Sequence, residues 1–326
     1  MSRRETLTDE PVLSRDRRGA IVLALVGPTA SGKTRIAGLV APGLRAEVVS
    51  LDSMQVYRGM DVGTAKPTAD ERRRVPHHMI DVADPSRPYS VARFQSAARA
   101  VVDLILGRGR RPLLVGGSGL YYRAVVDELE FPPTSSALRA EIERREPERL
   151  VASLHAGDPE AAARIDPANL RRVVRALEVM ELTGRRFSEF RTAWDTYESR
   201  YDLVVAGLRI PADLLAERIA VRVDRMLQGG LVGEARALLD RGLRAALTAS
   251  RAISYPEIVA HIDGEITLAE ARELIIRNTR RFARRQMSWF RGDPRVEWFD
   301  AADSRRAGDR IRAYYEKEIE RRTVGA

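Results

Sequence analysis

The most constraining stretch of the sequence is Gly27-Pro28-Thr29-Ala30-Ser31-Gly32-Lys33-Thr34, which fits the pattern G-x-x-x-x-G-K-[ST] of a phosphate-cradling P-loop. Such a loop turns backbone N–H groups inward onto phosphate oxygens, through conformations that glycine adopts most readily. Lys33 adds a compact positive charge, and the Thr34 hydroxyl is suited to a magnesium ion. The run before the loop, Ile21 to Val26, is continuously apolar, as expected of a strand buried on both faces. After it, Ile36, Leu39 and Val40 give a helix one apolar face, and the positive end of that helix aims at the same anion.

Two further apolar runs, Glu47 to Leu51 and Pro112 to Val115, read as strands, and Val91 to Leu106 repeats apolar residues at helical spacing between them. Strands joined through helices make a parallel, doubly wound sheet. The long segment from Arg58 to Pro88 reads as loop, punctuated by glycine and proline, at the sheet edge where open α/β folds bind ligands. His77 and His78 are adjacent, a spacing that does not suit a shared metal.

From about Ala124 to Arg200 no strand pattern is visible. Leu138 to Arg149 reads as a charged helix, and a second helix is expected to start at Asp166-Pro167, carry Leu170, Val173, Val174, Leu177 and Met180 inward, and stop at Gly184. The sheet resumes with Leu203 to Leu208, followed by helices over Leu214 to Leu227, Leu231 to Leu239 and Leu268 to about Phe290. The expected fold is therefore α/β: a P-loop NTPase-like parallel sheet flanked by helices, with an all-helical insertion domain. Its boundaries are a disordered basic tail over 1–18, the core over 19–123 and 201–326, and the insertion over 124–200.

Composition narrows the class. The 326 residues are 44% hydrophobic, enough for a sizeable core, and contain no apolar run long enough to span a bilayer. The polar, basic start lacks the apolar segment of a secretory signal, so a cytoplasmic protein is expected. With no cysteine there is no disulfide, thiolate metal site or cysteine nucleophile. A net charge of +9 favours a polyanionic partner, nucleic acid first. Lys33, Lys66 and Lys317 are the only lysines in an arginine-rich chain, which singles out Lys33 and, less sharply, Lys66. The last long helix sets Arg277, Arg280, Arg281, Arg284 and Arg285 beside Phe282, Trp289 and Phe290, a mixture that suits either an RNA backbone with unstacked bases or a solvated face over an aromatic core edge.

A P-loop usually holds a nucleotide such as ATP. Here the strand Pro112 to Val115 ends in Gly-Gly-Ser-Gly rather than in the carboxylate that commonly helps hold magnesium, and Asp52 is the one carboxylate well placed at a strand end near the loop. That pattern fits a transferase which binds a diphosphate and activates a nucleophile at Asp52, with a small-molecule kinase as the natural reading and a non-enzymatic P-loop RNA-binding protein as its rival.

The segments GPTASGKT, DSMQVYRGMDVGTAKP, PHHMIDV, VGGSGLYY and TRRFARRQMSWF occur in this order, from about Ile21 to Phe290. In this the chain closely resembles the bacterial tRNA dimethylallyltransferases. The resemblance implies transfer of a dimethylallyl group from dimethylallyl diphosphate to N6 of the adenosine just 3′ of the tRNA anticodon, with Mg²⁺ as cofactor, in a P-loop fold whose helical insertion contacts tRNA. A homologue acting on free AMP or ADP is the close variant. By matching position, Asp52 is the base, Lys33 and Ser118 act beside it, residues Gly27 to Thr34 bind the diphosphate, and Thr34 meets the metal. The same matching places tRNA contacts at Asp52, Ser53, Met54, Gln55, Arg139, Arg171, Arg172, Val173, Val174 and Arg175, and at Thr279, Arg280, Arg281, Arg284, Arg285 and Gln286. Ser118 stands where the family usually has threonine, and Ala252 to Glu257 departs from the usual Ile-Gly-Tyr by placing Pro256, which donates no N–H, after Tyr255. A monomer acting on the anticodon stem-loop is expected.

Overall fold

The computed structural model describes residues 17–191 and 196–324. Its centre is one sheet of six parallel strands: β1 Arg17–Val26, β2 Ala46–Ser50, β3 His77–His78, β4 Arg111–Gly116, β5 Tyr201–Arg209 and β6 Val296–Asp300. They stand in the order β3-β2-β4-β1-β5-β6. The central strands are buried on both faces because helices cover both, which is why their sequences run apolar without alternation. The expected tail lies outside the described residues as far as residue 16; Arg17 and Arg18 already belong to β1.

On one face, Leu23 and Leu25 of β1 and Val204 and Ala206 of β5 pack against α1 (Lys33–Val40) and the last helix, Ser304–Val324. On the other, Val22, Ala24 and Val26 meet α3 (Val91–Gly107), α4 (Gly119–Val126) and the helices after β5. A short helix, α2 (Ala69–Arg74), interrupts the stretch expected to be loop. Its Thr68–Glu71 capping box satisfies the free N–H groups of its first turn.

Between β4 and β5 the described chain is helical, with α4 leading into α5 (Ser136–Ile142), α6 (Pro147–Gly157), α7 (Pro159–Arg164) and α8 (Leu170–Thr183). These last four share a core of their own, built on Ile142, Leu150, Leu154, Val173 and Leu177. Two sequence expectations are corrected here. The helix over Leu138 to Arg149 is two helices, because Pro147 cannot continue α5 but suits the first turn of α6. The next helix begins at Leu170 rather than at Pro167, since the Asn169 side chain accepts the N–H of Arg172 and caps it. Leu170 is exposed, and the helix ends at Gly184 in the left-handed conformation (φ 67°).

After β5 come α9 (Ala212–Gln228), α10 (Leu231–Asp240), α11 (Tyr255–Ile262) and α12 (Leu268–Arg291), then β6 and α13 (Ser304–Val324). Pro256 falls in the first turn of α11, where a missing N–H costs nothing. The Tyr315 hydroxyl of α13 donates to the Ala24 carbonyl of β1 (2.7 Å) and locks the last helix to the central strand.

Glu178 is a fully buried charge of the insertion. Its carboxylate accepts from Arg139 (2.8 Å), Arg175 (2.7 Å) and the Ser135 N–H (2.8 Å). Burial pushes this carboxyl up, but the bonds from Arg139 and Arg175 outweigh it and hold the group below its ordinary 4.5. A depressed carboxyl stabilises the fold above its unfolded pKa, and that stability is lost as pH falls through the folded value. Glu178→Gln should therefore lower unfolding free energy by about 1–3 kcal/mol at neutral pH in urea denaturation, with the difference from the parent shrinking below about pH 4.

Candidate active site

The P-loop occupies the turn from β1 into α1. Gly27 has φ 149°, Ala30 φ 62° and Gly32 φ 90°. At Gly27 a Cβ would also lie 3.0 Å from both the Leu208 Cβ and the Leu208 carbonyl oxygen, so β5 leaves no room for a side chain. The Lys33 ammonium donates to the carbonyls of Gly27 (2.9 Å) and Pro28 (2.6 Å). Burial first, and then neighbouring Arg222, bring its pKa down to about 7, with Asp52 opposing both.

The loop opens into a cleft of about 1180 Å³, lined by Thr29, Ala30, Gly32, Lys33, Thr34, Asp52 and Gln55 among others. Asp52 sits just past β2. Its Oδ1 accepts the N–H groups of Met54 (2.8 Å) and Gln55 (3.3 Å), which fixes the carboxylate at the mouth of a tight turn. Gln55 accepts from the Ser50 hydroxyl (3.0 Å) and donates to the carbonyls of Thr64 (3.3 Å) and Ala65 (3.4 Å). Ser53 and Met54 are half-buried, and Met54 leans on the core beneath the turn. Gly116 and Gly117 form the wall opposite. Ser118 follows them as the N-cap of α4, accepting the Tyr121 N–H at 3.4 Å.

Gln286 is only 7% exposed and accepts the Thr29 N–H at 2.8 Å, while a Cβ on Gly117 would meet its amide nitrogen at 2.2 Å. It lines the cleft and tethers the P-loop, and so stands apart from the arginines of its own helix. Those arginines, Arg280, Arg281, Arg284 and Arg285, are exposed, with Thr279 half-buried beside them. Of the aromatics, Trp289 is 45% exposed, whereas Phe290 is core and meets the Tyr122 ring edge-on at 5.7 Å. In the insertion, Arg171 and Arg172 are exposed. Val173 and Val174 are buried and present no side chain to an RNA, a correction that the helical period explains, because they face the insertion's own core. Arg139 and Arg175 are bound to Glu178, and Arg175 also donates to the carbonyls of Pro132 and Pro133.

Arg222 was not singled out by sequence. It reaches from α9 to the Thr29 hydroxyl (3.2 Å) and the Thr64 carbonyl (3.4 Å), and burial lowers its pKa while Asp52 opposes the shift. Its signal is the spacing Arg218, Arg222, Arg225, one face of a helix, and all three line the cleft. Lys66 is buried in a frame of its own, donating to Asp61 (2.6 Å), Asp81 (2.5 Å) and the Tyr57 carbonyl (2.6 Å). His78 pairs with Glu47 at 2.7 Å.

Residues 55–293 match the family model described as IPP transferase, and residues 20–81 match the one described as isopentenyl transferase. The chain belongs to the IPP transferase family. Among members of this family, the tRNA dimethylallyltransferase of Salinispora arenicola is 52% identical over 296 residues, covering 90% of this chain and 86% of that protein. That of Streptomyces coelicolor is 53% identical over 281 residues, covering 85% and 89%. The crystal structure of the tRNA isopentenylpyrophosphate transferase of Bacillus halodurans superimposes with a TM-score of 0.71 at 43% identity, covering 94% of this chain and 98% of that one. A eukaryotic dimethylallyltransferase acting on tRNA superimposes with a TM-score of 0.76 at 26% identity, covering 87% and 74%.

A lysine with a pKa of about 7 is partly neutral near pH 7.5 and takes up a proton when a dianion arrives beside it. Calorimetric titration of pyrophosphate at pH 8 in buffers of differing ionisation enthalpy should show more proton uptake by the parent than by Lys33→Ala. Gln286→Ala should raise KM for the prenyl diphosphate several-fold and leave the salt slope of tRNA binding unchanged, because its partner is the P-loop.

Proposed function

We propose that the cleft holds dimethylallyl diphosphate with its diphosphate on the P-loop, and transfers the dimethylallyl group to N6 of the adenosine on the 3′ side of the tRNA anticodon. As a member of its family the chain is a transferase that modifies tRNA. The observation that carries the finer reading is that Lys33, Arg222 and the Asp52 carboxylate line one cleft, the cations on the P-loop side and the carboxylate at the end of β2.

Adenine N6 is a weak nucleophile, since its lone pair is delocalised into the ring, so both ends of the reaction need help. The C1–O bond of the allylic diphosphate breaks with both electrons going to pyrophosphate, while N6 forms the new bond to C1 and its proton passes to Asp52. Lys33, Arg222 and the P-loop amides stabilise the charge that grows on the leaving group. Ser118, beyond the Gly116-Gly117 wall, caps α4 and lies outside the cleft lining, so its part in the reaction rests on the family resemblance. The donor chemistry also fits magnesium, because the Thr34 hydroxyl lines the cleft next to Lys33, and an ion carried on a diphosphate needs few ligands from protein. Bound there, such an ion supplies charge neutralisation on the diphosphate.

The acceptor base has to leave the anticodon stack, at a cost of about a few kcal/mol. The exposed arginines of α12, with Arg171 and Arg172 on the insertion, supply the phosphate contacts that offset it. A mononucleotide acceptor needs no such surface. No helix among the described residues is long and apolar enough to cross a membrane; we propose a cytoplasmic monomer that meets dissolved tRNA.

Asp52→Asn should lower kcat by about 10²–10⁴-fold with tRNA affinity nearly unchanged; loss of affinity with normal turnover would make Asp52 a docking residue. Replacing Arg284 and Arg285 together by alanine should flatten the salt dependence of anticodon stem-loop binding by roughly one to two units of slope, and an unchanged slope would move the RNA path elsewhere.

A further inference from the structure

The stretch Asp61 to Lys66 forms part of the cleft wall, through Asp61, Val62, Ala65 and Lys66. Its backbone is held from outside by one side chain. Glu234, in the first turn of α10, accepts the N–H groups of Asp61 (2.7 Å) and Val62 (2.7 Å) on Oε2, and that of Gly63 (2.9 Å) on Oε1. The same Oε1 accepts the Tyr255 hydroxyl at 2.8 Å. Four donors on two oxygens saturate the accessible lone pairs of a carboxylate, and each such charge-assisted bond is stronger than a neutral one. The Tyr255 ring lies so close to Gly63 that a Cβ there would meet it at 2.5 Å, so the loop is gripped by charge and by contact at one point.

What this grip fixes is the far side of the loop. The Thr64 carbonyl accepts from Arg222, and the Thr64 and Ala65 carbonyls accept from Gln55. Arg222 in turn bonds Thr29 of the P-loop, and the Gln55 N–H bonds Asp52. Both ends of the site are thus referred to carbonyls of one loop, whose first three amides are held by one carboxylate.

We propose that Glu234 is a positioning residue for the reaction: it acts through the 61–65 loop to orient Arg222 toward the diphosphate and Gln55 beside Asp52. The inference rests on the reading of the cleft as the transferase site. Glu234 lies outside the cleft lining, so its loss acts through geometry, and misplacement by about 1 Å can cost on the order of 100-fold in rate.

The test compares full-length Glu234→Gln and Tyr255→Phe with the parent. Glutamine keeps the shape but offers one acceptor oxygen and turns an NH₂ group toward backbone N–H donors, whereas phenylalanine keeps the ring and removes one donor. For Glu234→Gln, kcat/KM for dimethylallyl diphosphate should fall by about 10- to 100-fold. Pyrophosphate affinity by calorimetry should also fall, amides 61–63 should exchange hydrogen faster, and stem-loop affinity should stay close to the parent's, with the thermal midpoint lowered by a few degrees. Tyr255→Phe should lose only a few-fold. Gly63→Ala, which pushes the loop off the Tyr255 ring with Glu234 intact, should reproduce the same kinetic signature and serves where Glu234→Gln does not fold. Faster exchange at 61–63 with unchanged kcat/KM and unchanged pyrophosphate affinity would overturn the inference, as would a uniform loss of prenyl and RNA binding. A parent enzyme that binds pyrophosphate but transfers no prenyl group would instead count against the reading of the reaction, and the pyrophosphate comparison would still decide the role of Glu234.

Discussion

Two half-buried cations lining one cleft, Lys33 and Arg222, are the constraint on which the rest of the structure depends. Burial disfavours both charges and Arg222 further disfavours that of Lys33, while the nearby Asp52 only partly offsets this. A fold retains such an arrangement when something else holds the groups in place. Here the Gly27 and Pro28 carbonyls receive the lysine, and the Thr29 hydroxyl and Thr64 carbonyl receive the arginine. A diphosphate would complete the charge balance, and on the proposed reading this makes the site the receptor of the leaving group when the allylic bond breaks.

Elements far apart in sequence converge on this point. The P-loop comes from the first strand–helix turn, Asp52 and Gln55 from the end of the second strand, Arg222 from α9 and Gln286 from α12. The parallel sheet makes this possible, because it brings the carboxyl ends of β1, β2, β4 and β5 to one edge, over which the later helices fold. The same helix that sends Gln286 into the cleft keeps Arg280, Arg281, Arg284 and Arg285 in solvent. Helical period alone thus joins the P-loop cleft to an exposed arginine surface through one rigid element.

Much of this was legible in the sequence because it rests on local physics. The P-loop has a fixed spacing, the buried strands are continuously apolar, and the helices repeat every three to four residues. Asp52 could be chosen by its place at a strand end. The misses are of two kinds. Short or polar elements carry little local signal: β3 is a pair of histidines, β6 is a five-residue strand near the end, and α13 buries little beyond Ala307, Gly308, Ile311 and Tyr315. The second kind is tertiary. Nothing local tells Gln286 from the arginines around it, or says that Arg222 and not Arg218 will meet Thr29, since Arg218 instead donates to the carbonyls of Ala301 and Ala302. Val173 and Val174, set between Arg171-Arg172 and Arg175 and three to four residues before Leu177, are marked by that spacing as the inward face of α8.

The central claim is that one cleft joins a prenyl diphosphate on the P-loop to an adenosine presented by tRNA. The most direct measurement is to incubate the protein with Mg²⁺, dimethylallyl diphosphate and an anticodon stem-loop carrying adenosine 3′ of the anticodon, then digest the RNA and weigh its nucleosides. The account predicts a gain of one dimethylallyl group on that adenosine and none on free AMP. No gain on either acceptor, together with ATP turnover, would contradict it and return the P-loop to kinase chemistry.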